Sequence, residues 1–124
     1  MSQKNYPCGC HKERQNRFIE PSLLLLLCQK PAHGYELLAG LEALGFYNGP
    51  PDPGAVYRTL RHMEKFNLVR SQWDTSGTGP AKRLYQITEV GKQYLNNWVE
   101  VLRQRYAALG NFLHQYQQVT DTSD

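Results

Sequence analysis

The sequence predicts a mainly helical α+β domain that ends in one long helix, and three observations carry that expectation. Five consecutive leucines, residues 23–27, make a helix that is apolar on nearly every side and belongs at the centre of a core. Asp52-Pro53 is a clean helix start, followed by Val56, Leu60 and Met63 at i, i+4 and i+7. Leu95, Val99, Leu102, Tyr106, Leu109, Leu113 and Tyr116 are spaced 4, 3, 4, 3, 4, 3, an unbroken heptad seam. The composition agrees. A chain of 124 residues is about one domain, and 40% hydrophobic against 20% charged residues supply enough apolar surface to offset ordering entropy, which excludes a disordered tail. The longest apolar run, residues 23–28, has six residues, far short of the roughly 18 that a membrane span needs. The polar start shows no secretory pattern, and three cysteines do not make a disulfide framework, so the expected compartment is a reducing cytoplasm.

Residues 1–19 lack periodicity and read as an N-terminal arm carrying Cys8-Gly9-Cys10-His11. The first helix is expected from Pro21, whose preset φ suits a first turn, to about Gln29, where Pro31 forces an end. A second helix begins at His33 or Gly34, buries a stripe of Leu37, Leu38, Leu41 and Leu44, and closes on Gly45 in the left-handed conformation. Asn48-Gly49-Pro50-Pro51 is a loop. The third helix, residues 52–66, buries Val56, Leu60 and Met63, turns Arg58, Arg61, His62 and Lys65 mostly outward, and ends at Asn67. Two extended runs, 68–73 and 83–87, form a hairpin around a projecting basic loop, 74–82. Thr88 caps a last helix, residues 89–118, with 119–124 as a tail. Three short helices cannot cover a seam of roughly 40 Å at 1.5 Å per residue, so the expected partner of the last helix is the same helix of a second copy.

Helix, helix, helix, hairpin and long helix is the order of a winged helix-turn-helix with a C-terminal dimerisation helix: residues 20–88 form the winged domain and 89–118 the dimerisation helix. The charge has a matching distribution. Between positions 58 and 83, six basic residues face two acidic ones, a net +4, whereas the whole chain carries +3 and the remainder therefore −1. A concentrated basic region suggests a polyanion, and a helix of this kind fits the major groove of double-stranded DNA while the wing reaches the adjacent backbone or minor groove.

Three local sequences carry a family resemblance: Pro31-Ala32-His33-Gly34-Tyr35-Glu36-Leu37, then Asp52-Pro53-Gly54-Ala55-Val56-Tyr57-Arg58-Thr59-Leu60, then Gly79-Pro80-Ala81-Lys82-Arg83-Leu84-Tyr85-Gln86-Ile87-Thr88-Glu89-Val90-Gly91. Together, over about residues 20 to 118, they resemble the PadR family of bacterial transcriptional regulators, in its short subgroup with one C-terminal helix. The resemblance implies a winged-helix homodimer, usually a repressor, that leaves a palindromic operator when an effector binds. One departure is Asn67, where the family usually has glycine after the third helix.

The expected DNA contacts are Tyr57, through its hydroxyl to a phosphate, Arg58 and Arg61 to guanine edges or phosphates, His62 and Lys65 to the backbone, and Lys82 and Arg83 from the wing. Ordinary packing of Tyr57 and mere solubility of the arginines stand as the alternatives. Gly34 relieves crowding at a helix start and Tyr35 caps the core, with its hydroxyl offered to DNA as the alternative. Trp98, beside the seam, is a candidate for stacking on a flat aromatic effector, against ordinary packing on the first helix. Two thiols and an imidazole, Cys8, Cys10 and His11, are a candidate set of three metal ligands with Cys28 or His33 as the fourth, although Cys-x-Cys is not the usual zinc spacing; redox sensing by the thiols and an arm with no chemistry are the alternatives, and no cofactor is otherwise expected. Two further functional readings stay open at this point: a winged-helix protein–protein module, and a metal- or redox-sensing regulator. An enzyme is not expected, because the sequence has no phosphate-binding glycine loop, paired-carboxylate motif or Ser/His/Asp constellation.

Overall fold

The computed structural model describes residues 18–45 and 51–122. Cys8, Cys10 and His11 of the arm and Asn48-Gly49-Pro50 of the loop lie outside the described residues. In chain order the elements are α1 (Ile19–Gln29), β1 (Ala32–His33), α2 (Gly34–Leu44), α3 (Pro53–Lys65), β2 (Val69–Asp74), β3 (Lys82–Ile87) and α4 (Glu89–Thr122). The winged helix-turn-helix and its long last helix are thus present.

Helix α1 begins two residues before Pro21, which sits in the first turn where its missing N–H has no intrahelical partner to lose. Leu23, Leu24 and Leu27 are buried. Five leucines in a row sweep all round a helix, so one must face outward, and Leu25 does. Helix α2 contributes Leu37 and Leu41 to the core, whereas Leu44, at its last turn, is exposed. Gly45 closes it at φ 85°, as its position after the apolar stripe predicts.

The cap of α3 is a hydrogen bond from the Gly54 N–H to Asp52 Oδ1, with Pro53 in the first turn. Val56, Leu60 and Met63 are fully buried against α1, α2 and the sheet. Asn67 holds the left-handed turn at φ 67° in place of a glycine, which its short polar side chain tolerates.

Among the described residues the sheet has three strands, not the two expected. β1 pairs antiparallel with β3 through Ala32↔Tyr85 and His33↔Leu84, in the order β1-β3-β2. A two-residue strand carries no alternation by which a sequence reveals it. The hairpin runs from Val69↔Ile87 to Asp74↔Lys82, so its ladder reaches one residue further toward the tip on both strands than the apolar pattern implied.

Thr88 caps α4: its Oγ1 accepts the Gly91 N–H at 3.0 Å while its hydroxyl donates to the Asn67 carbonyl at 2.6 Å. A Cβ at Gly91 would strike the Leu68 carbonyl oxygen, so glycine is what lets α4 start this close to the entry of β2. The helix runs 34 residues to Thr122, absorbing four positions read as tail. Its first turns pack on α1: Leu95 is buried, and the Tyr94 hydroxyl donates to Glu20 Oε1 at 2.8 Å. Past Leu102 the described side chains are exposed. Among the described residues no helix is long and apolar enough to cross a membrane.

Candidate nucleic-acid interface

Helix α3 and the wing face each other across a groove of about 660 Å3. Tyr57, Arg61 and Lys65, at i, i+4 and i+8, form one wall; Trp73, Lys82 and Arg83 form the other. Gly34 and Tyr85 lie between them, and burial pushes the Tyr85 phenol up from its ordinary pKa. The spacing along α3 puts these residues opposite Val56, Leu60 and Met63, so the same periodicity that builds the core delivers the cations to one side.

Each wall is held in place. A Cβ at Gly34 would overlap the Tyr57 ring, so the tyrosine lies directly across the start of α2 while remaining partly exposed. Tyr57 is therefore packed against the start of α2 and still partly open to solvent. On the wing, the Lys82 ammonium stands 5.0 Å from the Tyr35 ring centre and the Arg83 guanidinium 4.6 Å from that of Trp73. Arg83 Nη1 donates to Ser71 Oγ at 2.7 Å.

A second tie joins the wing to the start of α2. His33 Nε2 lies 2.8 Å from Asp74 Oδ2, and its Nδ1 lies 3.0 Å from Glu36 Oε1. Glu36 Oε1 also accepts the His33 backbone N–H at 2.8 Å, which lowers the Glu36 pKa. Asp74 caps the wing turn: its Oδ1 accepts from the Ser76 hydroxyl at 2.6 Å and the Ser76 N–H at 3.0 Å. Those two bonds, with the one to His33, bring the Asp74 carboxyl down from 3.8 to about 2. A depressed carboxylate stabilises the fold above its unfolded value and loses that contribution as pH falls through its folded value. The stability difference between the protein and Asp74→Asn should therefore shrink as pH falls from 3.8 to about 2. Acid titration followed by circular dichroism of both proteins measures it, and parallel curves over that interval would be the contrary result.

The structure brings five of the seven expected DNA contacts onto this groove: Tyr57, Arg61, Lys65, Lys82 and Arg83. Arg58 and His62 lie on the next flank of α3, beside Ile19, Glu20, Ala55 and Thr59. Arg58 Nη2 is 3.9 Å from Asp52 Oδ2, a weak exposed pair, and His62 is tilted against the exposed Phe66 ring at 4.8 Å. Tyr35 does not cap the core; it is exposed and stacks on His33 at 5.5 Å. Sequence reasoning missed Trp73, Glu64 and Ser71 as parts of the site. Alternation along β2 puts Ser71 and Trp73 on one face, but nothing in the pattern says that Arg83 lies across from them. Trp98 is half-buried with its ring 6.3 Å from that of Phe18, and with Tyr94, Asn97 and Val101 it lines a recess of about 240 Å3.

A basic helix and a cationic wing across a groove, with a long exposed helix beyond, do not by themselves fix the class, and comparison with known proteins narrows it. The sequence model of the transcriptional regulator PadR-like family matches residues 23–97. The chain belongs to this family. PadR-like proteins are DNA-binding transcriptional regulators, not enzymes. The chain is 31% identical over 107 residues to the transcriptional regulator YqjI of Escherichia coli (strain K12), which covers 82% of this chain and 50% of that protein. It is 32% identical over 78 residues to the probable transcriptional regulator Rv1176c of Mycobacterium tuberculosis, covering 63% of this chain and 41% of the relative. The chain thus spans about half the length, or less, of these curated relatives. Among solved structures, the PadR-like transcriptional regulator BC4206 of Bacillus cereus matches with a TM-score of 0.68 at 27% identity, over 77% of this chain and 91% of that one. The potential transcriptional factor TM0937 matches with a TM-score of 0.76 at 29% identity, over 86% and 94%.

Proposed function

We propose that this PadR-like regulator works in the cytoplasm as a homodimer on palindromic operator DNA, repressing transcription until an effector releases it. The observation that carries the reading is the groove in which Arg61 and Lys65 of α3 converge with Lys82 and Arg83 of the wing. Four cations on a concave surface suit a phosphate backbone, and a helix bearing them suits the major groove. The second copy is supported by the apolar seam: Tyr106 is 82% exposed, Leu109 63%, Leu113 62% and Tyr116 60%. Exposed apolar rows of this length mark protein interfaces. Leu95 is spent on the monomer's own core, so the surface offered to a partner begins further along than the heptad pattern alone suggests.

Two α3 helices related by a two-fold axis would read half-sites about one helical turn apart. Selection of bound duplexes from random-sequence DNA tests this: a palindromic consensus is expected, and an unenriched pool would sink the reading. Trp98 and its recess are the proposed effector contact. A planar aromatic effector should quench tryptophan emission, and Trp98→Phe should remove the quenching; a response unchanged in that variant would assign it elsewhere, to Trp73 first.

A further inference from the structure

We infer that Glu64 and Ser71 are positioning residues that aim the wing's Arg83 at DNA, so that α3 and the wing read a duplex as one unit. The inference rests on the proposed DNA reading of this groove. Among the described residues that line the groove, Glu64 is the one carboxylate. A negative charge there repels phosphate and weakens binding to every sequence alike. The structure shows what it does instead. Ser71 Oγ donates to Glu64 Oε2 at 2.9 Å, and the same oxygen accepts from Arg83 Nη1 at 2.7 Å. This relay runs from β3 through β2 to α3, and each bond polarises the next.

The guanidinium carbon of Arg83 lies over the ring of Trp73, 4.6 Å from its centre, and Trp73 is the register partner of Arg83 across the hairpin. The Trp73 ring holds the guanidinium on one side and the Ser71 bond holds one of its nitrogens. A guanidinium has five N–H donors, so a fork remains for the ligand. An arginine held in this way loses less side-chain entropy on binding than a mobile one. The geometry therefore exchanges general affinity for an aimed contact.

The test compares two probes: the duplex enriched from random-sequence selection and a scrambled duplex of equal length. Glu64→Ala should raise affinity for the scrambled duplex, yet lower the ratio between the two about three- to tenfold, the range of one lost hydrogen bond. Ser71→Ala should lower the ratio similarly. Glu64→Gln keeps an acceptor and should preserve it within about twofold. In an Arg83→Ala background, Glu64→Ala should no longer change the ratio, because the relay has lost its end. Arg83→Lys leaves Glu64 intact and should still lower the ratio, which separates aiming from any folding defect of the Glu64 variant. Equal strengthening on both duplexes by Glu64→Ala, or the same loss with and without Arg83, would overturn the inference while leaving DNA binding intact. A wild-type protein that does not prefer the enriched duplex would overturn both.

Discussion

Placing lysine at both Leu109 and Leu113 should turn the protein into a monomer at micromolar concentration and lower its affinity for a two-half-site duplex by about 10²–10⁴-fold. The magnitude follows from linkage. Once one half-site is occupied, the second is bound at the effective concentration set by the connection between protomers, and that advantage disappears with the connection. In the proposed homodimer the seam is that connection. Leu109 and Leu113 lie one turn apart and are mostly exposed in the single chain, so changing them leaves the core of α1, α2, α3 and the sheet untouched. Two cations facing two cations across a helix pair are repelled and desolvated at once. Sedimentation reports the oligomeric state and a binding titration the affinity. Melting of the variant in the absence of DNA should show the winged domain still folded. A variant that sediments as a dimer, or binds undiminished, would remove the seam from the mechanism.

Arg61→Ala should cost about 1–3 kcal/mol per half-site on the selected duplex, counted twice in a symmetric dimer. Arg61 lies at the middle of the groove wall, between Tyr57 and Lys65 and opposite the wing. Arg58, one turn earlier, lies on the other flank and is engaged weakly with Asp52. The same substitution at Arg58 should therefore have the smaller effect. If Arg61 reads a base edge, its loss falls on the selected duplex more than on a scrambled one; equal loss on both would make it a backbone contact. Titrations of both variants on both duplexes decide between them, and a larger loss at Arg58 would reverse the assignment of the two flanks.

Most of the architecture was legible because it rests on repeating patterns and strong local signals. The stripe Val56, Leu60, Met63 predicts the buried side of α3, Asp52-Pro53 and Asn67 predict its two ends, Gly45 the end of α2 and Thr88 the start of α4; each of those residues does in the structure what its chemistry favours. Strand β1 was illegible because two residues make no period. The end of α4 was misplaced because residues 119–122 are not strong helix formers, and exposed helix ends carry little packing signal. The partition of the cations had a different cause. Residues 57, 58, 61, 62 and 65 all lie on the outward side of α3, and which flank faces the wing depends on where β2 and β3 pack.

By itself the sequence determined the order of helices and hairpin, the core stripe of each helix and the heptad row on the last one, since those follow from period, caps and breakers within a few turns of chain. Only the tertiary structure decided that Glu64, Ser71, Trp73 and Arg83 meet, that His33 joins Asp74, and that Leu95 belongs to the monomer while Leu109 and Leu113 face outward. Those contacts join residues of different elements, and their partners are chosen by how α3, the sheet and α4 settle on one shared core rather than by any spacing in the sequence.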